Sequence, residues 1–295
     1  MTVYNSGKYL ESAVNSILTQ KFRDFEFIII NDGSSDNSSQ ILRKFQKKDY
    51  RIKLIERENK GLIYSLNEGI KHSSSEFIAR MDSDDLCHPD RFSLQYEYLQ
   101  DNIEVVALGT FIDLIDSDDD VISSNFVKFT DHFDIDRQHI SGHGGAIIHP
   151  SAMIRRSALE KVGQYNESYP HAEDLDLWLR LAEVGQLANL NISLLKYRQH
   201  VDSVGYTKRE IQIDSALKAV RAAYERRKIP NFDLSQINHR NPHVSTFGVY
   251  LKWAWWAYNS SNYDTCKKYT LKLFSRKPWN TEVLKLLILL AMKKV

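Results

Sequence analysis

The densest group of side chains that could do chemistry is a run of carboxylates, Asp82, Asp84 and Asp85. Adjacent carboxylates repel one another and raise one another's pKa unless a metal ion or a basic side chain lies among them. Hard oxygen ligands in this number suit Mg²⁺ or Mn²⁺, and such an ion would in turn hold a phosphate group. The run therefore indicates a metal-dependent phosphate site, with a solvated turn before Pro89 as the alternative interpretation.

Alternating helix and strand patterns place this acidic run at one edge of a sheet. The apolar spacing predicts a helix over 10–18, a strand over 27–30, a helix at 41–45, a strand over 52–55, a helix over 62–70 and a strand over 77–79. Strands and helices that alternate with short connections are typical of a parallel α/β sheet. Ligands of such sheets bind beyond the carboxyl ends of the strands, which is where Asp32 and residues 82–85 are expected.

A second acidic group, made of Asp113, Asp116 and residues 118–120, lies between two strand-like segments at 107–115 and 121–122. Polar, turn-forming residues between two apolar segments are typical of a β-hairpin. We therefore predict a hairpin turn at this position.

The composition excludes several classes of protein. The chain has 295 residues, 42% hydrophobic and 26% charged, which is typical of globular domains and unlike a disordered or collagen-like chain. Its two cysteines can build neither a disulfide framework nor a four-cysteine zinc site, so we expect a reducing, cytoplasmic location. The sequence has no Gly-rich dinucleotide or P-loop motif, which argues against dinucleotide oxidoreductases and P-loop NTPases.

The formal net charge of +1 is the sum of two unlike parts. Residues 1–205 carry 22 basic and 32 acidic side chains, whereas residues 206–295 carry 17 basic and 6 acidic ones and four of the five tryptophans. The helical pattern of this tail favours either a subdomain that packs on itself or an interfacial anchor that meets an anionic membrane surface. The second interpretation places the protein at the inner face of the plasma membrane.

Motifs spread over residues 2–205 occur together in an order that is specific to one family. The first part contains Thr2-Val3-Tyr4-Asn5, Ile30-Asn31-Asp32-Gly33-Ser34-Ser35-Asp36, Asn59-Lys60-Gly61-Leu62, and Met81-Asp82-Ser83-Asp84-Asp85 followed by Pro89. The later part contains His149-Pro150-Ser151, Arg155-Arg156-Ser157, Val162-Gly163, Tyr165, His171-Ala172-Glu173-Asp174-Leu175-Asp176-Leu177-Trp178-Leu179-Arg180, and Tyr197-Arg198-Gln199-His200-Val201-Asp202-Ser203. The chain resembles the inverting family 2 glycosyltransferases of bacterial polysaccharide and glycoconjugate assembly.

This resemblance implies a fold and a domain plan. The fold would be GT-A, a Rossmann-like α/β fold with a mostly parallel sheet and flanking helices, followed here by a C-terminal helical region. Residues 1–100 would form the nucleotide-sugar-binding half, residues 101–205 the acceptor-binding and catalytic half, and residues 206–295 the basic tail. Such enzymes usually carry an apolar first strand before the Val-Tyr-Asn segment, and here almost all of it is absent. We therefore expect exposed neighbouring strand edges, with the true start upstream of Met1 or a truncated chain.

On the donor side, the resemblance assigns contacts with the nucleotide and the metal. Val3, Tyr4 and Asp32 would contact the nucleotide base. Asp84 would be the direct ligand of Mn²⁺ or Mg²⁺, and Asp82 would contact the ribose or a metal-bound water. The implied donor is a nucleotide-diphosphate sugar, with a UDP-sugar favoured, and no nucleic acid is expected as a partner.

On the acceptor side, the resemblance assigns the general base to Asp174, with Glu173 as the less favoured candidate. The hydroxyl of a saccharide or lipid-linked acceptor must lose its proton as it attacks the anomeric carbon from the face opposite the leaving diphosphate. A positioned carboxylate can take that proton.

The remaining predicted site residues surround the diphosphate or the acceptor. Arg198 resembles part of the segment that closes over the diphosphate, and His200 would be a further metal ligand. Asp85 and Arg180 are assigned to the diphosphate or the acceptor, although Arg180 could equally have a structural role.

Two other functions remain as alternatives. A sugar-1-phosphate nucleotidyltransferase has a related fold but needs a Gly-rich, basic nucleotide loop near its start, which this sequence lacks. A non-catalytic nucleotide-sugar-binding or scaffold protein with a degenerate GT-A domain is the non-enzymatic alternative.

Overall fold

The computed structural model describes residues 1–201, 204–230 and 245–293. Asp202 and Ser203 of the last motif, and residues 231–244 and 294–295 of the basic tail, lie outside the described residues.

A three-stranded parallel sheet forms the first part of the chain. Its strands, in the order β1-β2-β3, are β1 (Thr2–Val3), β2 (Phe27–Asp32) and β3 (Ile52–Arg57). The helices that connect and follow them are α1 (Gly7–Leu18), α2 (Ser38–Gln46) and α3 (Leu62–His72). Each helix and strand predicted up to residue 70 is confirmed, because the apolar spacing that predicts it is also what buries Leu10, Ile29 and Leu42 in the core.

A second sheet contains the later strands. They are β4 (Phe77–Ala79), β5 (Leu86–Cys87), β6 (Val105–Ile115), β7 (Val121–Ser123), β8 (Met153–Arg155) and β9 (Gln186–Arg198). The order is β4-β8-β6-β9-β5, with β7 on β6. Its helices are α4 (Arg91–Asp101), α5 (His132–Ile140), a 3₁₀ turn (His149–Ser151), α6 (Arg156–Val162) and α7 (Glu173–Leu181). The hairpin predicted around Asp116 is confirmed, since β6 and β7 pair antiparallel across it.

The pairing of β4 corrects one detail of the expected parallel sheet. β4 does not join β1–β3; it pairs antiparallel with β8, and only β6 and β9 run parallel in the second sheet. β4 follows a helix and finds its partner in β8, about 75 residues further along the chain, a pairing that apolar spacing within each segment does not determine. A cavity of about 690 Å³ lies between the sheets, lined by residues that include Ile28 and Phe77.

The tail is helical where the structure describes it, and it packs on the sheets. Its helices are α8 (Val204–Thr207), α9 (Arg209–Arg227), α10 (Thr246–Asn259), α11 (Tyr263–Phe274) and α12 (Thr281–Met292). α10 meets the second sheet, where the rings of Trp256 and Phe126 lie 5.2 Å apart and the hydroxyls of Ser260 and Ser123 are 2.9 Å apart. Among the described residues, no helix combines the length and apolar character that crossing a membrane requires. These helices pack on one another and on the second sheet.

Candidate active site

Three loops meet at the carboxyl edge of the first sheet. The Asn5 amide donates to Ser34 Oγ at 3.0 Å, and the Ser35 amide donates to Asn5 Oδ1 at 2.8 Å. The hydroxyls of Ser6 and Ser83 lie 2.7 Å apart. These bonds join the loops that follow β1 and β2 to the acidic loop that follows β4. The structure thus brings together three of the motifs on which the family resemblance rests.

Tyr4 and Val3 occupy different environments at this edge. Tyr4 is 56% exposed, so its ring is open to a stacking partner. Val3 is fully buried, backbone included, and pairs with Asn31 of β2.

Asp32 ties two loops together at the same edge. Its carboxylate accepts from the amides of Lys60 and Gly61 at 2.8 and 3.0 Å and forms an ion pair with Arg57. Its carbonyl accepts from Asn59 Nδ2 at 3.0 Å. Asp32 is almost completely buried, and its visible role is to hold the β3–α3 loop beside the β2–α2 loop.

The predicted metal-ligating carboxylates lie close together. Asp82, Asp84 and Asp85 each offer an oxygen within 4.8 Å of the others. Asp85 is fully buried; its Oδ1 accepts from the Arg198 amide at 2.8 Å, and its Oδ2 has no hydrogen-bond partner among the described residues. Burial, followed by the charges of Asp84 and Asp82, raises the pKa of Asp85 well above its ordinary value. A clustered, partly unpaired oxygen set of this kind fits a hard divalent ion.

His200 lies beside this cluster. Its Nε2 is 3.5 Å from Asp84 Oδ2, and the two side chains are 32% and 30% exposed. The structure therefore brings together the two residues that the sequence assigns to the metal, on the open side of the cluster.

Arg198 has a different environment from the one expected of a diphosphate ligand. Its Nε donates to the Asp84 carbonyl at 2.8 Å, its Nη1 donates to the Asp116 carbonyl at 2.8 Å, and its Nη2 is 2.6 Å from Asp119. The guanidinium also lies 4.3 Å from the centre of the Tyr9 ring, and the residue is buried. This geometry favours a positioning role behind the acidic cluster, in place of direct contact with the diphosphate.

A second pair of carboxylates begins α7. Glu173 is 6% exposed and its Oε2 has no hydrogen-bond partner among the described residues. Burial, followed by the charge of Asp174, raises the pKa of Glu173 to about 7. Asp174 is less buried, its Oδ1 accepts from the Leu175 amide at 2.8 Å, and burial also raises its pKa.

Arg80 is a site residue that the sequence analysis missed. It forms an ion pair with Asp82, and its charge lowers the pKa of both Glu173 and Asp174. The residue is buried at the end of β4, so it acts electrostatically on both carboxylate groups. The sequence could have indicated this residue, because Arg80 directly precedes the acidic run and a buried carboxylate cluster requires a nearby cation.

Tyr165 and His149 connect the two parts of the chain near Arg80. His149 Nε2 and the Tyr165 hydroxyl lie 2.6 Å apart, and both residues are buried. The side chain of Asn67 in α3 exchanges two hydrogen bonds with the backbone of Tyr165, at 2.9 and 3.0 Å. These contacts fix the second sheet against the first beside the acidic loop.

Arg180 is committed to the packing of α7. It donates to Asp176 Oδ2 at 2.9 Å and to the carbonyls of Val162, Gly163 and Gln164 at 2.9, 2.7 and 3.0 Å. With these acceptors, its geometry favours the structural role over a contact with the diphosphate or the acceptor.

Comparison with known proteins adds sequence relatives and structural neighbours. The family model described as glycosyl transferase family 2 matches residues 1–163. The O-antigen biosynthesis glycosyltransferase WbnJ of Escherichia coli is 34% identical over 244 residues, which cover 81% of this chain and 92% of WbnJ.

Three solved structures show the same fold. S. aureus TarS 1–349 in complex with UDP-GlcNAc aligns with a TM-score of 0.56 and 16% identity, over 93% of this chain and 71% of that one. The mannosyltransferase PcManGT of Pyrobaculum calidifontis, in complex with GDP-Man and Mn²⁺, aligns with a TM-score of 0.52 and 16% identity, over 95% of this chain and 86% of that one. A longer TarS structure aligns with a TM-score of 0.59 and 18% identity. The alignment covers 80% of this chain and 40% of the TarS chain. The fold of this chain is GT-A, with an additional C-terminal helical region.

Proposed function

The chain belongs to glycosyl transferase family 2, and we propose that it transfers a sugar from a nucleotide-diphosphate donor to a hydroxyl of a saccharide or lipid-linked acceptor, with inversion at the anomeric carbon. The observation that carries this proposal is the presence of two carboxylate groups, at residues 82–85 and at Glu173–Asp174, that share the buried cation Arg80. One group suits a metal and its diphosphate, and the other suits proton transfer.

A divalent ion, Mn²⁺ or Mg²⁺, would be held by Asp84 and His200, with Asp82 directed to the ribose or to a metal-bound water. The fit rests on the oxygen cluster and on the unpaired Oδ2 of buried Asp85. When bound, such an ion neutralises the negative charge that grows on a leaving diphosphate. The Mn²⁺ in the PcManGT complex supports a divalent ion in this fold.

Asp174 is the proposed general base. Inverting transfer requires a group that accepts the proton of the attacking hydroxyl, and carboxylates do this in inverting sugar chemistry. Asp174 is more accessible than Glu173, and its Oδ2 is not engaged by the Leu175 amide that binds Oδ1. Glu173, which is more deeply buried, is the second candidate for the base.

The donor is proposed to be a nucleotide-diphosphate sugar, with UDP-sugars favoured. TarS and PcManGT were solved with UDP-GlcNAc and GDP-Man respectively, which supports a nucleotide-sugar donor. In this assignment residues 1–100 bind the donor, with Tyr4 near the base and the buried residues Val3 and Asp32 supporting the loops beside it. Residues 101–205 bind the acceptor. The name of WbnJ supports an acceptor used in polysaccharide assembly.

The test of this function is a donor panel. The full chain is incubated with UDP-, GDP- and dTDP-sugars and Mn²⁺, and release of the nucleoside diphosphate is followed without an acceptor. We expect slow, metal-dependent hydrolysis of one nucleotide class. Binding of a nucleotide sugar with no hydrolysis, and no transfer to any saccharide supplied, would favour the non-catalytic alternative.

The helical tail is proposed to meet an anionic membrane at one turn, between α11 and α12. Trp279 is 87% exposed there, and the neighbouring side chains of Phe274, Arg276 and Lys277 are also exposed. A Trp beside basic residues suits the headgroup region of an anionic bilayer. Such binding would bring the enzyme to a lipid-linked acceptor at the inner face of the plasma membrane.

Flotation of the full chain with liposomes tests this contact. We expect binding to vesicles with anionic lipid that weakens with salt and with Trp279→Ser. Phe133→Ser is the control, since Phe133 is an aromatic residue outside the tail that is 70% exposed. Equal flotation of the two variants, or no flotation of the wild-type chain, would contradict the proposal.

A further inference from the structure

The tip of the β6–β7 hairpin holds three carboxylates around one lysine of the tail. Asp116, Asp118 and Asp120 each offer an oxygen within 4.8 Å of the others. Lys268 Nζ, from α11, lies 2.8, 2.7 and 2.7 Å from the carboxylates of Asp116, Asp118 and Asp120 respectively. The lysine ammonium therefore occupies the place that a metal ion would take in this cluster.

Asp116 is the buried centre of this arrangement. Its Oδ2 accepts from the Tyr269 hydroxyl at 2.7 Å as well as from Lys268, and its Oδ1 accepts from the amides of Asp118 and Asp120 at 2.8 and 3.1 Å. Burial opposes ionisation, yet the bonds from Lys268 and Tyr269 hold the pKa of Asp116 below its ordinary value. The hairpin is thus fastened to α11 by an ionised, fully hydrogen-bonded carboxylate.

The other side of the same hairpin holds Arg198. The Asp116 carbonyl accepts from Arg198 Nη1 at 2.8 Å, and the Asp119 carboxylate lies 2.6 Å from Nη2. Arg198 continues to the acidic cluster, because its Nε binds the Asp84 carbonyl and its amide binds Asp85 Oδ1, both at 2.8 Å. Direct polar contacts therefore run from α11, through the hairpin and Arg198, to the residues that would hold the metal.

We propose that Lys268 is a positioning residue, which locks the hairpin on the C-terminal helices so that Arg198 holds Asp84 and Asp85 in the geometry that a divalent ion requires. This inference rests on the proposed function. Without Lys268, three carboxylates would be left together without a cation, and the hairpin that carries the anchors of Arg198 would move apart from α11. Groups that orient metal ligands typically change metal affinity by about 10–100-fold when they are removed.

The experiment measures Mn²⁺ binding directly, so that it does not depend on turnover. Free Mn²⁺ is followed by its electron paramagnetic resonance signal as MnCl₂ is added to the full chain, with and without UDP. The three carboxylates that Lys268→Met leaves without a cation could bind Mn²⁺ themselves, so the quantity compared is the Mn²⁺ binding that depends on UDP. We expect Lys268→Met to weaken this UDP-dependent binding about tenfold and Lys268→Arg, which keeps the charge, to restore most of it. Lys267→Met is the matched control, because Lys267 is an exposed neighbour on the same helix and should bind Mn²⁺ like the wild-type chain.

A second variant keeps the proposal testable if Lys268→Met does not fold. Asp119→Asn removes the ion pair between the hairpin and Arg198 at a residue that is 60% exposed. Asp119 has a φ of 70°, a conformation that asparagine also tolerates. We expect it to weaken Mn²⁺ binding in the same direction.

Two results would overturn the proposal. One is unchanged Mn²⁺ affinity in a folded Lys268→Met or Asp119→Asn chain, and the other is a wild-type chain that binds no Mn²⁺. A chain that binds Mn²⁺ with the expected variant pattern but hydrolyses no nucleotide sugar would leave Lys268 in its positioning role and reject the proposed enzymatic function.

Discussion

Two fully buried aspartates in this protein respond to burial in opposite ways. Asp116 keeps a lowered pKa because Lys268 and Tyr269 donate to it, whereas the pKa of Asp85 is raised because its nearest charges are those of Asp84 and Asp82. Burial is the largest influence on both side chains and disfavours ionisation in each case. What differs is the partner of the carboxylate: Lys268 and Tyr269 donate directly to Asp116, whereas the nearby cation Arg80 pairs with Asp82 and only partly offsets the charges around Asp85.

The first prediction concerns Asp84, the proposed metal ligand. Asp84→Ala removes the carboxylate that faces His200, and we expect Mn²⁺-dependent nucleotide affinity to fall by at least about tenfold. Calorimetric titration of UDP with and without Mn²⁺ measures this. Asp90→Asn, an acidic residue outside the cluster, is the control, and an unchanged metal-dependent affinity in Asp84→Ala would reject the role.

The second prediction concerns the base. Asp174→Asn keeps the shape of the side chain but cannot take a proton, so we expect transfer to fall by about 100-fold or more while donor affinity stays near that of the wild type. Rates of donor turnover and calorimetric donor binding are the two measurements. Glu173→Gln should lose less activity. Loss of donor binding in Asp174→Asn, or a larger rate loss in Glu173→Gln, would contradict the assignment.

The third prediction follows from the raised pKa of Glu173. The pKa of Glu173 is about 7 in the folded chain, whereas its ordinary value, taken for the unfolded chain, is 4.5. The folded state therefore holds the proton more tightly than the unfolded state does. Stability from this group is fully present below about pH 4.5 and is lost as the pH rises through 7. Glutamine does not ionise, so Glu173→Gln does not lose this stability as the pH rises. We therefore expect the free energy of unfolding of Glu173→Gln, relative to that of the wild type, to increase by on the order of 2 kcal/mol between pH 5 and pH 8.

Urea unfolding of both chains at the two pH values checks this. The measured quantity is the difference in free energy of unfolding between Glu173→Gln and the wild type. A difference that does not change with pH would show that Glu173 is ionised in the folded chain at both values.

At the scale of elements, the sequence predicted the helices, strands and turns that depend on residues close together in the chain. The helices and strands up to residue 70 follow from apolar spacing, and the hairpin at Asp116 follows from its turn residues. The partner of β4 could not be predicted, because the apolar spacing within a segment does not determine which distant strand, here β8, it pairs with. Arg80 was missed for a similar reason, since its proximity to α7 exists only after both sheets have formed.

The sequence also could not predict which tryptophans of the tail are buried. Four tryptophans in a basic segment suggested an interface with membrane, yet Trp253 is 2% exposed and its Nε1 donates to the Tyr206 hydroxyl at 3.1 Å. Its ring also lies 5.3 Å from that of Tyr269, the residue that binds Asp116. Composition could not separate this packed tryptophan from the exposed Trp279, because burial here depends on contacts between α10 and α11.

The fourth prediction compares these two tryptophans. Trp253→Ala leaves a cavity between α10 and α11, and we expect it to lower the free energy of unfolding by about 3–5 kcal/mol. Trp279→Ala removes an exposed side chain and should change it by less than about 0.5 kcal/mol. Urea unfolding measures both values, and equal effects would contradict the packing described for the tail.

At the scale of the whole molecule, the tail and the second sheet share one core. The largest apolar cluster joins Ile112 and Ile122 of the sheet to Val249 of α10 and Leu286 of α12. The ionic contact of Lys268 with the hairpin lies beside this cluster, so apolar and charged contacts hold the same two parts together. We infer that the C-terminal helices are part of the folded unit that supports the proposed metal site.

The last prediction follows from that shared core. Because unfolding the tail would expose Ile122 and leave Asp116 without Lys268, we expect the sheets and the tail to unfold together in a single cooperative transition. Tryptophan fluorescence reports mainly on the tail, which holds four of the five tryptophans, and far-UV circular dichroism reports on the whole chain. The two probes should give coincident midpoints, and Trp178→Phe, which removes the tryptophan outside the tail, should keep them coincident. A fluorescence transition at a lower denaturant concentration that leaves most of the dichroism intact would show that the tail is a separate folding unit. Lys268 could then not position Arg198 and the acidic cluster.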